Sequence, residues 1–219
     1  RQKEETLPYI FGIGSLIEQA SRTRTSPTAL YVLPARAHGY ARGWWARTGA
    51  TGFSPTFIGA IPAEKSSWLN GVVYAVTEEE LKATNKREAG YTPTEITKNV
   101  EILTGGPAPK GGIWIYVNKF TRQNPLAKCL PTAQFPIVPS YVDICLTGCL
   151  QIEQCFPNVG DFAGDFIRST REWSKYWEND RAYPRRAPFT VPSAQTIDQL
   201  LQTHLPRLFA EIQLAPGRW

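Results

Sequence analysis

Two glycines flank a single residue directly after a short apolar segment near the start of the chain. The segment reads Phe11-Gly12-Ile13-Gly14-Ser15-Leu16. Because glycine has no side chain, the backbone N–H groups of such a loop can closely approach a carboxylate or carbonyl oxygen of a ligand. The loop therefore predicts either a plain tight turn or a small-molecule site built from backbone amides. Ser15 also suits the role of a turn residue that bonds its own backbone.

A dinucleotide-binding site begins with two glycines in the same spacing, but it requires further residues. A third glycine should stand at position 17, and an acidic residue should follow about twenty positions later, after a second strand. Position 17 is isoleucine, and the second predicted strand has no suitable acid. The pattern therefore argues against a dinucleotide site.

A second candidate residue lies at the end of a predicted helix. Thr77 and Glu80 are spaced as in a capping box, in which each side chain bonds the backbone N–H of the other. The helix should end near Arg87, where Gly90 supplies the break. Glu88 then lies at the negative end of the helix dipole, which together with burial makes a carboxylate a stronger base. By position alone, Glu88 also suits a solvent-exposed helix end.

Both segments resemble motifs of the gamma-glutamylcyclotransferase-like family, including its ChaC branch. In that family the first strand runs into a Tyr-Gly-Ser-Leu or Tyr-Gly-Ser-Asn loop, which corresponds here to Ile13-Gly14-Ser15-Leu16. ChaC-type members also have Arg-Glu-x-Gly-Tyr after a short helix, and this chain has Arg87-Glu88-Ala89-Gly90-Tyr91. The resemblance spans nearly the whole chain. Further segments that resemble the family, or its larger bacterial and plastid-type relatives, are residues 70–76, 141–143, 148–150, 173 and 177–181.

The resemblance implies a specific reaction, in which the α-amine of a γ-glutamyl group attacks its own γ-carbonyl and releases 5-oxoproline. Glu88 would be the catalytic acid and base, and Tyr91 would either bind the substrate or simply pack. The loop residues that would bind the γ-glutamyl group are Gly12, Ile13, Gly14, Ser15 and Leu16. The implied substrate is glutathione, a γ-glutamyl dipeptide or a γ-glutamyl amine. We expect no metal and no cofactor, because this ring closure needs neither.

The loop departs from the family pattern at Ile13, where relatives have tyrosine. The missing hydroxyl removes a hydrogen bond to the substrate or to Glu88, and an unmet buried partner costs about 1–3 kcal/mol. Two hypotheses therefore stay open: an active enzyme of glutathione or other γ-glutamyl metabolism, and an inactive pseudoenzyme. The second would serve as an accessory subunit with protein partners in a larger, organellar assembly. A binding module without turnover is a third hypothesis.

Composition and charge limit the class of function. The chain has 219 residues and a net charge of +5 with scattered Lys and Arg, so we expect no nucleic-acid partner. No apolar run reaches the ~18 residues of a transmembrane segment, and no signal peptide is visible. Four cysteines without a CxxC pair and two histidines argue against structural zinc and favour a reducing compartment. The chain starts at Arg1 and has no Met, so we expect that its natural start is missing, either because a leader was removed or because only part of the gene product is given. We predict an intracellular protein, cytoplasmic or, after removal of a leader, in a plastid or mitochondrion.

The order of predicted elements favours an α+β fold. Strands come first and helices later, so we predict a small mixed β-barrel or sheet with flanking helices. Residues 1–219 are predicted to form one domain, with a polar tail at 1–6 and a C-terminal helix and tail at 193–219. The predicted strands are 8–12, 30–33, 37–46, 53–61, 69–76, 95–103 and 112–117. Besides the helix capped by Thr77, the predicted helices are 140–155, 161–169 and 196–214, the last broken at Pro206.

Overall fold

The computed structural model describes residues 6–47, 54–181 and 193–211, together with the backbone of 213–216. The strands are β1 (Tyr9–Gly12), β2 (Leu33–His38), β3 (Tyr40–Arg47), β4 (Thr56–Pro62), β5 (Trp68–Ala75), β6 (Tyr91–Glu95), β7 (Val100–Ile102), β8 (Ile113–Asn118), β9 (Thr170–Arg171), β10 (Tyr176–Asn179) and β11 (Gln213–Pro216). The helices are α1 (Gln19–Thr23), α2 (Glu78–Arg87), α3 (Pro139–Cys155), α4 (Phe162–Ser169), α5 (Ala194–His204) and α6 (Pro206–Glu211). Of the residues covered by the predicted tails, strands and helices, 1–5, 53, 212 and 217–219 lie outside the described residues.

A six-stranded mixed sheet forms the centre of the fold, in the order β6-β8-β1-β5-β2-β7. Strand β1 lies inside this sheet, antiparallel to β5 and parallel to β8. Strands β4, β3 and β9 form a second sheet, and β10 pairs with β11. The predicted α+β class is confirmed. Within the described part of the chain, none of the helices is both long and apolar enough to cross a membrane.

Hydrophobic side chains pack on both faces of the six-stranded sheet. Successive residues of a strand point to opposite faces, so Ile10 and Phe11 of β1 enter two different cores. The core around Ile10 includes Cys145 of α3, Phe166 of α4 and Leu201 of α5. Because β1 is buried on both sides, the loop that follows it starts from a fixed point in the molecule.

Two of the predicted strands are misplaced because the sheet pairing overrides the local pattern. The predicted strand 30–33 is wrong, since the chain turns before Leu33 and Leu30 remains 54% exposed. The predicted strand 37–46 is interrupted at Gly39, whose φ of 79° suits glycine. The two resulting strands belong to different sheets, β2 to the six-stranded sheet and β3 to the three-stranded sheet.

The predicted strand 95–103 is also wrong. It separates into the end of β6, a 3-10 turn at Thr97–Asn99, and β7. These two strands pair at opposite edges of the six-stranded sheet, β6 with β8 and β7 with β2, so one continuous strand could not make both pairings. At the C-terminus the predicted break at Pro206 is confirmed, but residues 213–214 lie in β11 and not in the helix.

Helix α2 begins as its sequence predicts. Thr77 Oγ1 accepts a hydrogen bond from the Glu80 N–H at 3.1 Å, and Glu80 accepts one from the Thr77 N–H at 2.9 Å. The Glu80 carboxylate also accepts from the N–H of Thr28 at 2.9 Å and from its hydroxyl at 2.7 Å. The capping box therefore also ties α2 to the segment that follows α1.

Replacing Glu80 with glutamine is expected to lower the free energy of unfolding by about 1–3 kcal/mol near neutral pH. Burial raises the pKa of Glu80, but the hydrogen bonds from Thr28 and Thr77 outweigh it and hold that pKa below its ordinary value. A carboxylate with a lowered folded-state pKa stabilises above its unfolded pKa of about 4.3, and loses that contribution as pH falls through the folded value.

Denaturant unfolding at about pH 7 and about pH 3 measures this effect. The difference between wild type and Glu80→Gln should be large at the higher pH and small at the lower one. Glu79→Gln, an exposed position one residue away, is the matched control and should change little at either pH. An equal deficit of Glu80→Gln at both values would contradict the role given to the charge.

Candidate functional site

The glycine loop leaves the centre of the sheet and turns at once. After β1 ends at Gly12, a 3-10 turn spans Ser15–Ile17. A Cβ added at Gly14 would lie 2.8 Å from the hydroxyl oxygen of Tyr141, so glycine allows this tyrosine of α3 to pack on the loop. The predicted turn is confirmed, and its backbone lies against a helix that the loop sequence alone does not indicate.

A second glycine, on the helix side, brings the backbones of helix and loop together. A Cβ added at Gly148 of α3 would lie 2.5 Å from the backbone nitrogen of Glu18 and 2.7 Å from the carbonyl carbon of Ile17. Real Cβ atoms essentially never approach backbone atoms so closely. Helix α3 therefore supports the turn by direct backbone contact.

Buried arginines hold the carbonyl groups of the loop. Arg22 Nη1 donates to the carbonyl oxygens of Leu16 at 3.2 Å and Ile17 at 2.9 Å. Arg42 Nη1 donates to the carbonyl oxygen of Ile13 at 3.1 Å. Both arginine side chains are buried. The loop is thus bound from within the molecule through its oxygens.

Glu88 lies where the sequence predicts it, at the C-terminal cap of α2. Its N–H donates to the carbonyl of Thr84 at 2.9 Å, and its own carbonyl accepts from the N–H of Tyr91 at 2.9 Å. Its side chain is 21% exposed, and its Oε1 lies 3.7 Å from Nε of Arg87. The other end of Arg87 donates to the hydroxyl of Ser15 at 3.4 Å. Arg87 therefore bridges Glu88 and the glycine loop.

One cavity of about 310 Å³ contacts both elements. Of the predicted site residues, Ile13, Gly14, Ser15, Leu16, Glu88 and Tyr91 line it. Gly12 does not appear in the lining and lies at the strand end behind it. A Cβ added to Gly71 of β5 would lie 2.2 Å from the Gly12 carbonyl oxygen, which shows how tightly the two strands approach. The other lining residues are Phe11, Phe57, Ile58, Gly59, Arg87, Tyr116 and Tyr141.

The cavity combines two charged side chains with phenol groups. Among the described lining residues, the formally charged side chains are Arg87 and Glu88. Burial, with the nearby charge of Glu88, raises the pKa of Tyr116 to about 12, and its hydroxyl donates to Asn85 Oδ1 at 2.5 Å. Burial also raises the pKa of Tyr74, which lies near the same groups. Both phenols therefore stay protonated at neutral pH, and the Tyr116 hydroxyl is held by Asn85 at the cavity wall.

Among the described residues, no group of three or more His, Cys, Asp or Glu side chains is arranged to hold a metal ion. Among the described lining residues, the polar groups are the Glu88 carboxylate, the Arg87 guanidinium, hydroxyl groups and backbone amides. Such a set can bind a zwitterionic ligand and move protons.

Comparison with known proteins gives a fold-level relationship. Neither the family models nor the curated protein sequences contain a match to this chain. Among solved structures, a gamma-glutamyl cyclotransferase aligns over 91% of this chain and 99% of its own, with a TM-score of 0.53 and 13% identity. A human protein described as uncharacterized protein loc79017 aligns with the same coverage, TM-score and identity. A yeast gamma-glutamyl cyclotransferase specific to glutathione aligns over 91% of this chain and 97% of its own, at TM-score 0.45 and 14% identity.

The chain has the gamma-glutamylcyclotransferase-like fold. The structure adds residues that the sequence did not single out for the site. Arg87, Tyr116 and Tyr141 line the cavity beside the predicted residues. Arg87 and Tyr141 stand inside segments that resemble the family, so that resemblance carried a signal for both. Tyr116 lies in a strand of alternating apolar and aromatic residues, and nothing in that pattern distinguishes it from a core residue.

Proposed function

We propose that this protein releases 5-oxoproline from a small γ-glutamyl compound, with Glu88 as the proton-transferring group. The observation that carries the proposal is the shared cavity, whose lining includes both Glu88 and the loop Ile13-Gly14-Ser15-Leu16. Its volume of about 310 Å³ is in the range of sites for small ligands. A ligand in this space would contact the carboxylate and the loop at the same time.

The reaction depends mainly on orientation, because the attacking amine and the carbonyl belong to one molecule and close a five-membered ring. The amine is protonated in water and must lose a proton before it attacks. The amine that leaves must then gain one. A single carboxylate can accept the first proton and deliver the second, and Glu88 is the carboxylate in the cavity lining.

Charges in the cavity support this assignment of roles. Every γ-glutamyl group has an α-carboxylate, and Arg87 supplies a cation in the lining that can pair with it. Arg87 also lies 3.7 Å from the Glu88 carboxylate, so the cation and the proton-transferring group lie side by side in the cavity lining. The amides of Gly14, Ser15 and Leu16 would stabilise the negative charge that develops on the γ-carbonyl oxygen.

The replacement of the family tyrosine by Ile13 is compatible with activity. Three other tyrosines, Tyr91, Tyr116 and Tyr141, line the same cavity. Tyr141 lies directly against the loop, with its hydroxyl oxygen 2.8 Å from the position of a Cβ on Gly14. A phenol from α3 therefore lies close to the place where the loop tyrosine is missing.

The proposal extends to the ChaC branch and to an intracellular setting. The Arg87-Glu88-Ala89-Gly90-Tyr91 segment supports assignment to the ChaC branch, because both Arg87 and Glu88 line the cavity. All four cysteines are free, and Cys129, Cys145 and Cys149 are buried, which suits a reducing compartment.

Incubation of the purified protein with γ-glutamyl-alanine, glutathione and a γ-glutamyl amine tests the activity. We expect 5-oxoproline and the free amine in equal amounts from at least one of them, measured by chromatography against authentic standards. Release of glutamate in place of 5-oxoproline would indicate hydrolysis and contradict the cyclisation. If all three compounds remain intact, the proposal fails, and gel filtration of native material would then test the accessory-subunit hypothesis.

A further inference from the structure

The peptide groups of the glycine loop are not all held in the same way. The Gly14 carbonyl accepts from the N–H of Ile17 at 3.0 Å, and the Ser15 carbonyl accepts from the N–H of Glu18 at 3.3 Å. These two bonds belong to the 3-10 turn and fix the two peptide groups that follow Gly14 and Ser15. The peptide group between Ile13 and Gly14 precedes the turn. Its carbonyl accepts a hydrogen bond from a side chain 29 residues away, that of Arg42.

Arg42 is fully buried and donates to six neutral oxygens. Besides Ile13, they belong to the side chain and backbone of Asn70 on β5 and to Phe166, Ser169 and Thr170 at the end of α4. The negative end of the α4 dipole thus faces the guanidinium and partly offsets its burial. Burial lowers the pKa of Arg42 to about 10, which leaves it charged at neutral pH. A buried cation held by neutral groups alone is costly, which points to a specific role for Arg42.

We infer that Arg42 is a positioning residue that holds the Ile13–Gly14 peptide in one orientation, with the Gly14 N–H directed into the cavity. In a trans peptide the C=O and N–H groups point in opposite directions. Because the Ile13 carbonyl points inward to buried Arg42, the Gly14 N–H points away from it, on the side where Gly14 lines the cavity.

The need for such a clamp follows from the residue type. Glycine permits backbone conformations that other residues resist, so a peptide next to Gly14 can rotate at little steric cost. A rotated peptide would present the Ile13 carbonyl to the cavity and repel a carboxylate or a developing oxyanion. Arg42 prevents this rotation by bonding the carbonyl from the core, and it places a positive charge behind the loop.

Nuclear magnetic resonance of the full chain tests the inference. The Glu88→Gln variant, ¹⁵N-labelled, is titrated with γ-glutamyl-alanine while the amide signal of Gly14 is followed. The inference rests on the proposed function only for the choice of this ligand. The same titration is repeated with Arg42→Lys added, and separately with Ser169→Ala added. Ser169→Ala removes another acceptor of the same guanidinium at 2.8 Å, so it disturbs the network without touching the bond to Ile13.

We expect a large shift of the Gly14 amide on titration, and roughly a tenfold or greater rise in the apparent Kd with Arg42→Lys, as loss of one aligned amide donor predicts. Ser169→Ala should change the Kd by no more than about twofold. Equal Kd values for the two variants, or a Gly14 signal that does not shift at saturation, would overturn the inference.

Three further outcomes are also decisive. If the protein with Arg42→Lys does not fold, the shift of the Gly14 amide signal in Glu88→Gln alone still tests the inference, because only an amide that faces the ligand should shift strongly. If the ligand binds with the Arg42 dependence described but wild type forms no 5-oxoproline, the inference stands and the proposed function fails. If wild type forms 5-oxoproline but the apparent Kd does not depend on Arg42, the inference fails and the proposed function stands.

Discussion

Replacing Glu88 with glutamine is expected to lower kcat for 5-oxoproline release by about 10²–10⁴-fold, the usual worth of a positioned acid or base. Glutamine keeps the shape of the side chain but can neither accept the proton of the α-amine nor deliver one to the leaving amine. The variant keeps the backbone hydrogen bonds that Glu88 makes as the helix cap, so the substitution should leave the fold intact. Substrate binding should weaken far less than turnover, because Arg87 and the loop amides remain.

The matched control is Glu79→Gln, which makes the same chemical change on the exposed face of the same helix. It should retain the wild-type kcat within about twofold, in line with surface substitutions generally. Steady-state kinetics with 5-oxoproline detection measures both variants. Equal kcat for wild type and Glu88→Gln would remove Glu88 from the chemistry, even if the protein still formed 5-oxoproline.

Replacing Gly148 with alanine is expected to destabilise the protein by about 1–3 kcal/mol, as overpacking of a core does, and to depress turnover strongly. The added methyl would lie 2.5 Å from the backbone nitrogen of Glu18. The obstacle is backbone and not the flexible end of a side chain, so α3 and the turn must move apart. That movement would displace the loop amides and Tyr141, which lies on the same helix.

Helix propensity and packing predict opposite changes in stability for Gly148→Ala. Alanine is favoured over glycine inside a helix by roughly 0.5–1 kcal/mol, so helix propensity alone predicts that Gly148→Ala stabilises the protein. Denaturant unfolding and the 5-oxoproline assay on the same samples show whether helix propensity or overpacking dominates. A variant that is more stable and equally active would show that α3 and the loop do not approach as closely as described.

Local signals in the sequence predicted the elements that carry the candidate site. The capping box of Thr77 and Glu80 fixes where α2 starts, and with it the position of Glu88 one helix length later. The short apolar strand that ends at Gly12 can likewise be recognised from neighbouring residues. Such features depend on neighbours within a few residues, so a sequence read without an alignment can find them.

The supports of the site could not be predicted, because they are long-range. Arg42 meets Ile13 across 29 residues and Ser169 across 127, and its place in the chain marks it only as a basic residue in a strand. Pairing at opposite sheet edges likewise overrode the pattern of residues 95–103. Gly148 lies in a segment that resembles the family, but its local pattern does not show why glycine is required, since its constraint comes from the backbone of Glu18.

A crystal structure of Glu88→Gln with γ-glutamyl-alanine bound would show whether Glu88 and the glycine loop act on the same ligand. We expect the γ-glutamyl group inside the cavity of about 310 Å³, with its α-amine within about 3 Å of the side chain at position 88. Its γ-carbonyl oxygen should accept hydrogen bonds from the amides of residues 14–16. Density for the ligand elsewhere, or with its α-amine turned away from position 88, would contradict the proposed roles of Glu88 and the loop.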